Sequence, residues 1–129
     1  MFLTPAHLLF LHSRLIDELG GEAGLRDRRA LSAALEEPRE VFFGRPVDRY
    51  REEKAAALLH ALARRRPFTS LNEATALSAA LLFLERNGLQ LKLDEEETAQ
   101  LLAAVVGGHV SVRETGRWLR ARAEPLAEA

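Results

Sequence analysis

Arg66-Pro67-Phe68-Thr69-Ser70-Leu71-Asn72-Glu73-Ala74-Thr75-Ala76 reads as the basic end of one helix, a short turn and the start of another. Arg64, Arg65 and Arg66 close the first helix, and the second begins near Ser70. The first turn of a helix carries unpaired backbone N–H groups and is a ready site for a phosphate. Here, however, Ser70-x-x-Glu73 has the spacing of a capping box, in which Glu73 reaches back to the N-cap amide. A carboxylate in that place competes with a phosphate instead of inviting one.

On either side of this turn the chain reads as helices and little else. Thr4-Pro5 is an N-cap followed by proline at the first helical position, and Gly20-Gly21 stops that helix. Its apolar stripe is Leu8, Leu11, Leu15, Ile16 and Leu19. Asp27 caps a second helix that is expected to run through Leu35 and to end before Pro38. Arg39 to Asp48, with Val41-Phe42-Phe43, is expected to be a loop or small hairpin. Tyr50 to Arg65 is helical with Ala55, Leu58, Leu59 and Leu62 inward. Asn72 to Asn87 follows, with Leu77, Leu81 and Leu84 on one face and Gly88 as the stop. Leu89 to Leu93 alternates as one short extended stretch. Asp94-x-x-Glu97 and Ser111-x-x-Glu114 are further capping boxes, opening helices that end near Gly107-Gly108 and Arg122. The expectation is an all-α bundle of about six helices with at most a short hairpin, one domain over residues 1–129.

Composition narrows the function classes. A chain of 129 residues with net charge −1 has no global pull toward nucleic acid or an anionic membrane. Cysteine is absent, which removes disulfides and thiol chemistry. Neither a signal-peptide pattern nor a membrane-length apolar run is present, so a cytoplasmic location is expected. His7 and His12 stand five residues apart, about 140° around a helix, and share no metal-binding face. His60 and His109 are isolated from them, and no metal site is expected. Walker-type glycine loops and nucleophile elbows are also missing.

The order of the pieces carries a resemblance. Gly20-Gly21-x-x-Gly24-Leu25-Arg26-Asp27, Leu31-x-x-Ala34-Leu35-x-x-Pro38, Glu53 to Leu59, the Arg66 turn, and Phe83-Leu84-x-x-Asn87-Gly88-Leu89 together resemble the Fic/Doc family, its death-on-curing branch in particular. The match spans most of the chain. It implies the helical fold of that family and a toxin–antitoxin setting. It also implies an ancestral transfer of a nucleotidyl or phosphoryl group from a magnesium-bound nucleoside triphosphate to a protein hydroxyl.

The family signature is His-x-Phe-x-(Asp or Asn)-(Gly or Ala)-Asn-Lys-(Arg or Gly), and this chain departs from it at most positions. Arg66 stands where the histidine base would be, and a guanidinium does not deprotonate in a protein. Phe68 and Asn72 are kept. Ser70 replaces the acidic, metal-associated residue, and Leu71 replaces the small residue that lets phosphates approach. Glu73 reverses the charge of the phosphate-binding lysine, and Ala74 removes a following arginine. Loss of the base alone commonly costs about a hundred- to ten-thousand-fold in rate. The resemblance therefore implies a non-catalytic pseudo-enzyme or interaction module, with no cofactor and with a protein partner such as an antitoxin-like peptide or a former target.

Other readings of the same residues remain. Arg64, Arg65, Arg66 and Asn72 are an anion-binding cluster or simply a solvated helix end and a local hydrogen-bonder. Val41, Phe42 and Phe43 are buried packing or a target-binding flap. An active transferase using magnesium–ATP would need another base, and His60 is the candidate nearest in sequence. The tail, with Arg113, Arg117, Arg120 and Arg122, has the outline of a DNA-reading helix pair. Against that, the apolar positions of a recognition helix fall on Glu114 and Arg117, and the charge balance is not basic.

Overall fold

Residues 51–65 form the helix around which the others assemble. In a computed structural model, residues 2–41 and 50–126 are described. Within them lie α1 (Pro5–Leu19), α2 (Arg28–Val41), α3 (Arg51–Arg65), α4 (Asn72–Arg86), β1 (Leu89–Leu91), α5 (Glu95–Val106), α6 (Val112–Arg122) and β2 (Ala123–Pro125). Every residue of α3 from Lys54 to Ala63 is buried, because α2, α4 and α6 pack around it and α5 touches it. A helix apolar on all sides belongs in the centre of a bundle. Its alanines at positions 55, 56, 57, 61 and 63 keep it slender enough for several neighbours to approach.

The helix starts follow their capping residues. Thr4 Oγ1 accepts from the His7 amide, and the Thr4 amide donates to His7 Nδ1 at 2.9 Å, so a histidine completes this box. Asp27 Oδ1 accepts from the Ala30 amide at 3.0 Å. Ser111 and Glu114 form the reciprocal box expected of them. Asp94 caps α5 through the Glu97 amide, but the Glu97 carboxylate turns away to Arg122 at 2.9 Å.

Three expectations need correction. First, α2 does not stop before Pro38; the proline lies inside it and Arg39–Val41 are helical. Leu31, Ala34, Leu35 and Pro38 are all buried and share one face at helical spacing. Burying the proline ring against the bundle offsets the hydrogen bond that it cannot make. Phe42 and Phe43, with the rest of the expected loop to Asp48, lie outside the described residues. Second, the inward face of α1 is narrower than its leucines suggested. Leu8 and His12 are its buried residues, and Leu19 is exposed. Third, α4 buries small residues, Thr75, Ala76, Ala79 and Ala80, together with Phe83 and Leu84, while Leu77 and Leu81 are half-buried.

The extended stretch after α4 finds a partner at the far end of the chain. β1 pairs antiparallel with β2, with Leu89 opposite Pro125, Gln90 opposite Glu124 and Leu91 opposite Ala123. This small ribbon aside, the described chain is helical, as the periodicity predicts. α6 is seated on α3 by Thr115, Gly116 and Leu119. At Gly116 an added Cβ would lie 3.4 Å from Glu53 Cα. Two of the four tail arginines are engaged within the bundle: Arg120 pairs with Glu53 of α3 and Arg122 with Glu97 of α5, the latter arginine also lying over the Trp118 ring. Among the described residues no helix is long and apolar enough to cross a membrane.

Candidate functional site

The loop between α3 and α4 is held in one shape from three directions. At its entry Arg66 closes α3 in the left-handed conformation, φ 48°, its amide donating to Leu62 O at 3.1 Å. At its exit Leu71 is also left-handed, φ 57°, and serves as the N-cap of α4 without a side-chain hydrogen bond. Neither is glycine, so each residue costs about 1 kcal/mol or more in backbone strain that the surroundings must offset.

The offset is visible from inside the loop outward. Asn72, 2% exposed, accepts from the Phe68 amide through Oδ1 and donates to Phe68 O through Nδ2, both at 2.9 Å. Phe68 is buried, and its ring is stacked on that of His12, with centroids 4.1 Å apart. His12 Nε2 lies 2.9 Å from Ser70 O; the carbonyl can only accept, so the proton is on Nε2.

The connection between α1 and α2 supplies the third direction. The amides of Arg26 and Asp27 both donate to Pro67 O, and the Thr69 amide donates to Gly24 O at 3.0 Å. Leu25 makes a bridge with Phe68. The Arg26 guanidinium caps the last carbonyls of α3, donating to Arg65 O and Arg66 O. Gly20-Gly21-x-x-Gly24-Leu25-Arg26-Asp27 is thus the cradle of the loop, which the resemblance alone did not reveal.

Ser70 and Glu73 do not form the expected capping box. The N-cap lies one residue later, at Leu71, which leaves Ser70 outside the helix and free to face the cradle. Its Oγ accepts from the Glu22 amide at 2.9 Å and donates to Glu22 O at 2.8 Å. The Glu73 carboxylate instead accepts from Arg66 Nη1 at 2.6 Å, tying the first turn of α4 to the end of α3. That hydrogen bond holds the Glu73 carboxyl below the usual carboxylate range, against an opposing effect of burial. Ala74 is half-buried in the same turn. A side chain at Gly21 would meet Ser70 Oγ at 2.9 Å and Leu71 Cγ at 3.6 Å.

The basic run is partly matched by neighbouring carboxylates. Arg64 Nη2 contacts both oxygens of Glu37 in α2, at 2.7 and 3.0 Å, and Arg65 Nε reaches the same carboxylate at 3.1 Å. Arg64, Arg65 and Arg66 thus share two carboxylates, Glu37 and Glu73, and keep one positive charge, beside which stands the Arg26 guanidinium on Arg65 O and Arg66 O. Beside Arg64 and Arg66 opens a cleft of about 310 Å³, with His60 and with Val105, Val106 and Val110 among its lining residues. His60 is buried, its Nε2 2.8 Å from Thr115 Oγ1. Burial, and then the charge of Arg64, push its pKa down, favouring the neutral ring. Among the described residues no three His, Cys, Asp or Glu side chains gather to hold a metal ion.

Residues 2–84 match the profile of the Fic/DOC family, a stretch that takes in α1 to α3, most of α4 and the whole loop with its cradle. The chain belongs to the Fic/DOC family. It is 34% identical over 119 residues, 92% of each chain, to the protein kinase doc of Escherichia phage P1. It is 44% identical over 77 residues, 58% of each chain, to the toxin Doc of Mycolicibacterium smegmatis. The structure brings Arg64, Arg65, Arg66, Phe68, Ser70, Leu71, Asn72, Glu73 and Ala74 to one end of α3 and α4. Of the residues singled out as a flap, Val41 ends α2 and the two phenylalanines lie outside the described residues.

His12 escaped the sequence reading as a loop residue. The signal was its position one turn after Leu8, within the apolar stripe of α1, where a polar ring needs a buried partner. Arg26 stands in the sequence only as one position of the Gly20–Asp27 motif. That it caps another helix depends on a contact 39 and 40 residues away.

Proposed function

We propose that this Fic/DOC chain acts by binding a protein, as a non-catalytic member of its family. The observation that carries the reading is the Arg66–Glu73 pair across the start of α4. A transferring phosphate would need those first-turn N–H groups and a cation nearby. Here the carboxylate that stands in the place of the family's lysine lies in that first turn and pairs with Arg66, so a phosphate at those N–H groups would meet a negative charge. The donor set does not fit magnesium–triphosphate. Ser70 Oγ both accepts from and donates to the Glu22 backbone, which leaves it poorly placed to turn toward a metal ion. The partner that suits the reading is an antitoxin-like peptide or a former target docked at the inherited groove.

Calorimetric titration with magnesium–ATP into the millimolar range tests this directly. The expected result is no heat and no thermal stabilisation. Micromolar binding, or magnesium-dependent transfer of label from ATP to a protein, overturns the reading. Restoring Arg66→His, Ser70→Asp, Leu71→Gly, Glu73→Lys and Ala74→Arg together is expected to bring nucleotide binding back where the loop alone has changed; failure in a folded variant means that the rest of the groove has changed too.

A second reading, transfer by a rearranged site, is favoured by one observation: His60, whose pKa is lowered by burial and then by the charge of Arg64, lines the same cleft as Arg66. It requires that His60→Ala abolish transfer by an otherwise active protein. Unchanged transfer by that variant rejects His60 as the base.

A further inference from the structure

The cleft beside Arg66 has a composition of its own. At about 310 Å³ it stands at the small end of the range of ligand pockets. One part of its lining is aliphatic: Ala63, Val105, Val106 and Val110. The rest carries His60, Arg64 and Arg66. Val106 is 51% exposed, an uncovered apolar side chain at the end of α5.

The two guanidinium groups are only partly used. Arg64 contacts Glu37 through Nη2, and Arg66 contacts Glu73 through Nη1. Their remaining nitrogens make no hydrogen bond among the described residues. Planar guanidinium edges match a carboxylate well. After Glu37 and Glu73 are counted, the run of three arginines retains a single positive charge, and the Arg26 guanidinium on Arg65 O and Arg66 O adds to it, which suits a small anion. A nucleobase and ribose would find few hydrogen-bonding partners on the valine wall, whereas a short hydrocarbon body loses nothing there.

We propose that this cleft binds a small monocarboxylic acid with a short apolar body. The carboxylate takes the free edges of Arg64 and Arg66, and the body lies on Val105, Val106 and Val110. The same chemistry is offered by a free acid or by the C-terminal carboxylate of a peptide that ends in an aliphatic residue. The site is separate from the start of α4 and holds whether or not the loop transfers anything. It is nevertheless connected to it: a ligand carboxylate shares Arg66 with Glu73.

The test follows backbone amide shifts of Val105 to Val110 by NMR while the full chain is titrated with hexanoate, hexanol, N-acetyl-valyl-valine and the amide of that dipeptide. Hexanoate is expected to saturate these shifts with a Kd of about a millimolar, and hexanol to bind at least about tenfold more weakly. Val106→Glu, at an exposed position, is expected to weaken hexanoate at least about tenfold while leaving the fold intact, and Arg64→Gln to weaken it as well. A dipeptide acid that outcompetes hexanoate while its amide does not assigns the ligand to a chain terminus; equal or weaker dipeptide binding assigns it to a free acid. Equal affinity for hexanoate and hexanol, shifts confined to other regions, or shifts at these amides with ATP but not hexanoate overturns the proposal.

Discussion

Removing the Asn72 side chain separates a structural role from a ligand-binding one. In Asn72→Ala the Phe68 amide and carbonyl lose their partners at a site that is almost fully buried. Each unsatisfied buried backbone group costs about 1–3 kcal/mol. The loop can relax around one of them, so a combined loss of about 2–4 kcal/mol is expected. At about 2.1 cal/mol/K per residue, a chain of 129 residues has an unfolding entropy of about 0.27 kcal/mol/K. Dividing gives a fall in Tm of about 7–15 °C. A chain of this size has a total stability of about 6–19 kcal/mol, so the variant remains folded at room temperature in all but the least stable case. Scanning calorimetry reads the shift, and hydrogen exchange of the Phe68 amide reports whether the loop has opened. A Tm within about 2 °C of the parent, with the Phe68 amide still protected, refutes the argument. It would also return Asn72 to the candidates for ligand contact.

Other expectations concern the frame. Gly21→Ala, at φ 111° and with Ser70 Oγ 2.9 Å from the new Cβ, is expected to destabilise by about 1–3 kcal/mol, measured by urea unfolding. Arg26→Ala removes the guanidinium that caps Arg65 O and Arg66 O; it should cost about 1–2 kcal/mol and speed amide exchange between Arg66 and Ser70. His60 is a base whose pKa is lowered on folding from an ordinary value of 6.5, so the unfolded chain takes up the proton first. Its contribution to stability is complete above that value and is lost as pH falls through the folded pKa. His60→Gln is expected to flatten the slope of stability against pH just below 6.5; an unchanged slope assigns it to other groups.

Much of this architecture was legible because local signals and packing agreed. Thr4-Pro5, Asp27, Ser111-x-x-Glu114 and the glycines after α1 and α4 mark helix ends through backbone requirements that tertiary contacts do not alter. Pro38 misled because the rule for proline weighs one lost hydrogen bond and omits burial of the ring on a continuing helix. Ser70 and Glu73 misled for a different reason. Their spacing suits a box, but the N-cap moved to Leu71 once Asn72 bound the backbone of Phe68, and both side chains then met partners distant in sequence or across the loop. The pairing of β1 with β2, and the approach of His12 and Arg26 to the loop, depend on contacts 32 to 58 residues apart. Periodicity has no access to those. The positions of the candidate site were legible from the turn itself; the ion pairs that match its arginines were not.

Two left-handed residues that are not glycine bound a loop whose conformation is imposed from outside. Pro67 O, Phe68, Thr69 and Ser70 are gripped by Arg26 and Asp27, Leu25, Gly24, and Glu22 with His12, so the path of the backbone is written largely in the first 27 residues. The segment is therefore a casting, and the α1–α2 connection is its mould. Side chains that point away from the mould are interchangeable without remaking the shape. A lineage can lose one chemistry at this turn and acquire another while the scaffold registers almost no change, and a designer can use the same freedom to graft new sequences onto a ready-formed curve.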